Sequence, residues 1–239
     1  MKRRLGDETL WFVFNESSEA VSEKLDISDK KEMYRIDLSS GEMYSASSAI
    51  LTLLPGDIAV YLITDKLYNT ASEKAEGVTE IDGFKIIGYD RFLVEHYGIC
   101  KKHYDGEPKI TEDFSGTVYY EAEYSLPEEP KPTERYRVCL DGFSVSAAVA
   151  LDGEYACDLG MSPMKAIIPK GMLKKSGKIK IALSNTAANE IVAKREFIEE
   201  IFPTAEIGVY ATGECGEMSE FECRRAPFIF GKVKLEKLL

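Results

Sequence analysis

Tryptophan occurs once in the 239 residues, histidine twice, and basic residues are outnumbered, with 30 Lys and Arg against 41 Asp and Glu. The net charge of −11 repels polyanions, so neither nucleic acid nor an anionic membrane surface is an expected partner. Long apolar runs are missing as well. The longest, Ile58-Ala59-Val60-Tyr61-Leu62-Ile63, falls far short of the ~20 residues that span a bilayer. Behind the basic start Met1-Lys2-Arg3-Arg4 there is no apolar core of a signal peptide. A cytoplasmic location is therefore expected, unless the chain is a piece of a longer one. Cysteine is sparse and odd in number (Cys100, Cys139, Cys157, Cys215 and Cys223), which favours reduced thiols over a disulfide framework. Cys215 and Cys223 flank an acidic stretch that a hairpin would fold back on itself. No Gly-x-x-x-x-Gly-Lys-Ser/Thr phosphate loop and no Gly-x-Ser-x-Gly nucleophile elbow occurs, and no cofactor is implied.

What the chain does have is apolar residues, 44% of the total, enough for a packed core, and they alternate. Thr9 to Phe14 is a β-branched and aromatic run too short for a helix. Ala20–Ile27, Met33–Leu38, Ala49–Leu53 and Ile58–Ile63 read as further short strands, separated by turns at Ser39-Ser40-Gly41-Glu42 and Pro55-Gly56-Asp57. Residues 1–66 are therefore expected to form a small antiparallel β-sandwich. The polar stretch 67–82 reads as a connection, and residues 83–239 as a second, larger all-β unit. There Val118, Tyr120, Ala122, Tyr124 and Leu126 share one face of a strand. Pro127, Pro130 and Pro132 then break the pattern. Residues 135–140, 145–151 and 178–183 alternate in the same way, with turns at Asp141-Gly142 and Asp152-Gly153. One helix is expected, over 190–202, closed by Pro203.

Candidate chemistry is thin. His96 and His103 would need a third ligand for a metal, from Cys100 or Asp105, and their spacing matches no zinc pattern. Metal content stays open. Glycoside hydrolysis needs two carboxylates held a few ångströms apart, and no such pair stands out among the 41 acids. Tyrosine is abundant, at 13, and rings at strand ends can stack on sugar faces. The loop groups richest in rings, imidazoles and carboxylates are 96–106, with His96, Tyr97, His103, Tyr104 and Asp105, and 152–163, with Asp152, Tyr155 and Asp158. These eight are the candidate ligand-binding residues.

The second unit resembles the galactose-binding-like jelly rolls of family 2 and related glycoside hydrolases. Asp113-Phe114-Ser115-Gly116-Thr117-Val118-Tyr119-Tyr120 is similar to their opening x-x-G-x-x-x-Y strand, and Val149-Ala150-Leu151-Asp152-Gly153 to their V-x-L-N-G hairpin, with Asp152 in the Asn place. Lys170-Gly171-Met172-Leu173, then Gly177 to Ile181, resemble the L-x-x-G-x-N-x-L-x-I passage, and Ser184-Asn185-Thr186-Ala187-Ala188-Asn189 the x-N-T-x-x-N that follows it. Phe228 to Leu235 resembles the closing G-L-x-G-P-V-x-L. The first unit is similar to the small β domain that follows catalytic domains in large bacterial glycosidases, through Phe12-Val13-Phe14-Asn15-Glu16-Ser17 and Leu53 to Leu62. The resemblance implies a non-catalytic accessory region, with a weak carbohydrate ligand and a catalytic domain upstream in the same polypeptide. The loop after Asp152-Gly153 carries Gly160-Met161-Ser162-Pro163 where relatives often have an aromatic, so no stacking platform is expected there. Two rivals stay open: a protein-interaction module without sugar binding, and a free-standing hydrolase.

Overall fold

The computed structural model describes residues 1–15, 19–24, 31–38, 41–46, 50–53, 58–72, 74–95, 98–142, 144–160, 164–194 and 228–239. Of these, 58% lie in strands and 3% in helix, against roughly 20–25% strand in an average soluble domain. All the pairings are antiparallel. The chain is an all-β protein of sandwich type.

The first unit contains β1 (Lys2–Leu5), β2 (Glu8–Phe14), β3 (Val21–Lys24), β4 (Glu32–Ile36), β5 (Met43–Ser45), β6 (Ile50–Leu53) and β7 (Ile58–Thr64). Five of them form a sheet in the order β1-β2-β7-β4-β5, while β3 pairs with β6. Period-2 alternation puts Met33, Tyr61 and Ile63 on one side, where they bury with Ala46, Leu53 and Ala59 against Trp11 and Val13. Asn15 closes the run that begins at Thr9, its buried amide donating to the carbonyls of Glu19 at 2.7 Å and Leu53 at 3.0 Å.

The second unit is a sandwich of two sheets. The larger has the order β10 (Gly98–Tyr104), β9 (Lys85–Glu95), β11 (Gly116–Ser125), β16 (Ser176–Ser184), β13 (Ser146–Leu151), β14 (Glu154–Leu159). The smaller has the order β15 (Lys165–Ile168), β12 (Arg135–Leu140), β17 (Val233–Leu238), β8 (Ala75–Ile81). The last strand thus lies between β12 and β8. One core joins the two sheets. Val118, Tyr120, Ala122, Tyr124, Val149, Ile179 and Ile181 come from the larger, and Val138, Leu140, Ala166, Val233 and Leu235 from the smaller. The residues assigned to one face of residues 116–126 are all at most 7% exposed, so the alternation was a sound guide. The ring of Phe230 stacks on Tyr120 at 3.8 Å, and Phe228 meets Phe114 edge-on at 5.2 Å.

Several motif residues turn out to hold backbone. A Cβ at Gly116 would lie 1.9 Å from the Asp90 carbonyl oxygen, so only glycine lets β11 approach β9 there. Asn185 accepts from the Gly116 N–H at 2.8 Å and donates to the Phe114 carbonyl at 2.7 Å; Asn189 donates to the same carbonyl at 3.0 Å. Asp152 (φ 50°) and Gly153 (φ 86°) make a tight left-handed hairpin turn between β13 and β14.

Three expectations change. Residues 75–81, read as connection, form β8 and pair with β17. Residues 98–104, read as loop, form the edge strand β10. The helix α1 covers Ala188–Ala193; the rest of the stretch expected to be helical, 195–202, lies outside the described residues, as do Cys215, Cys223 and residues 161–163. The two units touch where Arg135 pairs with Glu42 and donates to the Ser72 carbonyl at 3.4 Å, and where the Ala71 N–H reaches the Met43 carbonyl at 2.8 Å.

Candidate functional site

The two candidate loop groups lie on the two opposite edge strands of the six-stranded sheet, β10 and β14. Five strand spacings separate them, roughly 24 Å, so they form no common end-of-sandwich surface. His96 and Tyr97 lie outside the described residues. Successive side chains of β10 alternate, so His103 and Lys101 take the outer face, while Tyr104 turns back and stacks on Tyr89 at 5.1 Å. Cys100 also faces away from His103 by the same alternation, so these two do not join in a metal site. Among the described residues no group of three or more His, Cys, Asp or Glu is placed to hold a metal. Asp105 is fully exposed, its Oδ1 3.9 Å from His103 Nε2.

At the other edge, Asp152 is committed to the turn: its carboxylate accepts from the Lys178 N–H and from Lys174 Nζ, both at 2.9 Å. These bonds hold its pKa below the usual carboxylate range. Tyr155 is exposed and hydrogen-bonded to Asp158, which pushes its hydroxyl pKa up. Both residues sit on the outer face, opposite Ala150 and Ala148. The register then carries the row onward through Ala182 and Tyr119 to Gly88. His103, Tyr155 and Asp158 therefore share one sheet face, with Ala148, Ala150 and Ala182 between them and Lys180 and Tyr119 nearer to His103.

The organised part of that face surrounds Asp90, which sequence reading missed. Asp90 is paired in register with both His103 and Thr117, and it is only 2% exposed because its partners cover it. Oδ1 meets His103 Nδ1 at 2.7 Å; Oδ2 accepts from Lys101 Nζ at 2.7 Å and from the Tyr119 hydroxyl at 2.5 Å. Lys180 Nζ lies 4.7 Å from the Tyr119 ring centroid. Burial alone would push the Asp90 pKa up, but the bonds from Lys101, Tyr119 and His103 outweigh it, and the carboxyl is held below its ordinary range. The same bond raises Lys101. Tyr119 is raised by burial and by donating to Asp90.

Three donors thus converge on an acceptor that stays ionised. Because a carboxylate only accepts, His103 Nδ1 must carry hydrogen, and Nε2 lies on the side of Asp105. Lys101 binds the same carboxylate, and Lys180 stands over the Tyr119 ring. A face built this way offers hydrogen-bond donors and a ring edge to hydroxyls or carboxylates. Asp90 is poorly suited to be the acid of a glycosidase, which needs a raised pKa.

The fold and site define an all-β protein of sandwich type with a polar patch on one sheet face. No family model matches the chain, and no curated protein does. Among solved structures it is similar to a rhamnosidase from Novosphingobium sp. PP1Y (16% identity, 98% of this chain and 23% of that one, TM-score 0.48). It is also similar to an FMN-binding β-glucuronidase from Facaelibacterium prausnitzii L2-6 (12% identity, 69% and 23%, TM-score 0.34) and to a β-glucuronidase from Ruminococcus gnavus (12%, 72% and 31%, TM-score 0.34). All three are glycoside hydrolases, and this chain spans less than a third of the length of each.

Proposed function

We propose that the chain is a non-catalytic accessory region of a bacterial glycoside hydrolase, of galactose-binding-like type. In this reading it contacts carbohydrate weakly through the outer face of the six-stranded sheet, with its catalytic domain upstream in the same polypeptide. The observation that carries the reading is the Asp90 cluster: one buried carboxylate orders an imidazole, an ammonium and a phenol on an otherwise open sheet face. Rings and donors of this kind contribute about 1 kcal/mol each to a sugar, so affinity in the millimolar range is expected. The motif set from Gly116 to Leu235 supports the accessory assignment independently of the cluster.

The test is an NMR titration of the ¹⁵N-labelled chain with neutral and anionic glycans. Amide shifts at Lys101, His103 and Tyr119, lost in His103→Ala and weakened in Tyr155→Ala, are expected. Silence across that face, with every glycan tried, would sink the reading. The rival, a protein-interaction module, is favoured by one feature: Phe14 and Ile58, paired across β2 and β7, are 51% and 46% exposed. A pull-down abolished by Phe14→Ser with glycan binding absent would select it.

A further inference from the structure

Where β11 finishes and β12 begins, an open pocket of about 300 Å³ is lined by residues of β8, β12 and β17 and by Leu126, Pro127 and Glu128. That is room for about ten waters, the size class of a single hexose, and it stands at the small end of the range for small-molecule sites. Its floor is apolar: Leu126 and Leu235 are buried, and Pro127 and the Tyr136 ring complete it. Its polar groups gather on one side. Lys237 Nζ lies 3.0 Å from Glu134 Oε1 and 3.5 Å from Glu76 Oε2, and the Tyr136 hydroxyl donates to Glu134 Oε2 at 3.3 Å. The backbone N–H of Lys131 fixes the same Glu134 oxygen at 2.9 Å, so the acceptor is held in place.

Gly77 borders the open side of the pocket. It lies within β8, opposite Lys237 in the register, and lines the cavity. A Cβ there would meet nothing within 4 Å. A larger side chain at this position therefore has room to enter the pocket.

We propose that this cavity binds one neutral pyranose, such as a terminal hexose of a glycan. The inference rests on the carbohydrate-contacting reading above and adds to it a second site and a sugar class. A hydroxyl is at once donor and acceptor. A vicinal diol therefore matches a carboxylate and an ammonium held 3.0 Å apart, each hydroxyl giving to Glu134 or Glu76 and taking from Lys237. The C–H face of the ring meets Leu126, Pro127 and Leu235. Three carboxylates, Glu76, Glu128 and Glu134, against Lys237 and Lys131, which pairs with Glu134 at 3.9 Å, leave the rim with one net negative charge, which disfavours uronic acids and sulfated sugars. The Asp90 face sets Lys101 and Lys180 against Asp90 and Asp105 and carries no such excess of carboxylates.

The experiment is a titration of the full ¹⁵N-labelled chain with D-glucose, D-galactose and D-mannose, and with D-glucuronate as the anionic control, up to about 100 mM, a range that saturates a Kd of ~10 mM. Shifts at Gly77, Tyr136 and Lys237 with at least one neutral hexose, and not with glucuronate, are expected. They should vanish in Gly77→Phe, which fills the cavity, and weaken about tenfold or more in Lys237→Met, which leaves it open. The spectra of both variants report directly that they are folded. Shifts confined to Lys101, His103 and Tyr119 would overturn the cavity site while leaving the carbohydrate reading intact. Shifts at Tyr136 and Lys237 that survive Gly77→Phe, or equal shifts with glucuronate, would also overturn it. No shift anywhere would end both readings.

Discussion

Replacing Asp90 by asparagine changes one atom and should cost the second sandwich much of its stability margin. The carboxylate faces three donors, from Lys101, His103 and Tyr119. An amide of the same shape keeps one acceptor oxygen and turns an NH₂ toward a group that also donates. A hydrogen bond to a charged group contributes about 1.5–3 kcal/mol. Lys101 and His103, each with a side chain 59% exposed, can recover water when released, so the three losses do not add in full. A loss of about 2–3 kcal/mol at pH 7 is expected, roughly 4–12 °C in Tm for a unit of this size. The pH dependence follows from the direction of the shift. The folded pKa of Asp90 lies below the unfolded value of about 3.9. Its contribution is therefore complete above that value and disappears as pH falls through the folded pKa. Thermal unfolding of both proteins, followed by circular dichroism between neutral and strongly acid pH, gives the difference directly, and other carboxylates cancel. Equal Tm values at pH 7, or a gap that stays constant into strong acid, would refute the argument.

Two further outcomes are expected. Burial pushes the Cys139 thiol up to about 11 and the Cys157 thiol to about 12, so at pH 8 about one molecule in a thousand or fewer carries either thiolate. Mass-spectrometric mapping after brief native alkylation should find both unmodified, with full labelling in denaturant; rapid native labelling of Cys157 would contradict its placement. A fragment of residues 74–239 should unfold cooperatively by itself, since it keeps β8 with β17 and loses little besides the Arg135–Glu42 contact. A fragment beginning at residue 83 should be markedly weaker, and equal stability of the two would show that β8 contributes nothing.

The contrast between those fragments shows where the sequence was readable. Strands buried on one face announced themselves: Ile179, Ile181 and Leu183, all 0% exposed, alternate with Lys178, Lys180 and Ala182. β8 did not, because only Ile81 of its residues is buried, and alternation needs a buried face to be visible. β10 is exposed along most of its length as an edge strand, and so resembled a loop. The Asp-Gly turn at 152–153 was legible because its backbone demands those residues, but the carboxylate of Asp152 proved to bind its own chain and not to await a ligand. The Asp90 cluster was invisible for another reason. Asp90, His103 and Tyr119 lie on three strands and meet through two strand registers, which no local pattern encodes. The cavity at Gly77 likewise exists only once β8 has been paired.

The position of β17 bears on how the protein is made. The smaller sheet has in its middle the last strand in sequence order among the described residues, so β12 and β8 have no shared partner until Val233–Leu238 leaves the ribosome. The first unit completes its own pairings by Thr64 and can collapse early. The second must wait with Val138 and Leu140 uncovered, then close contacts as distant in sequence as Ile81 and Val233. Long-range closure of this kind is slow, and the waiting nascent chain presents bare strand edges that a chaperone has reason to hold.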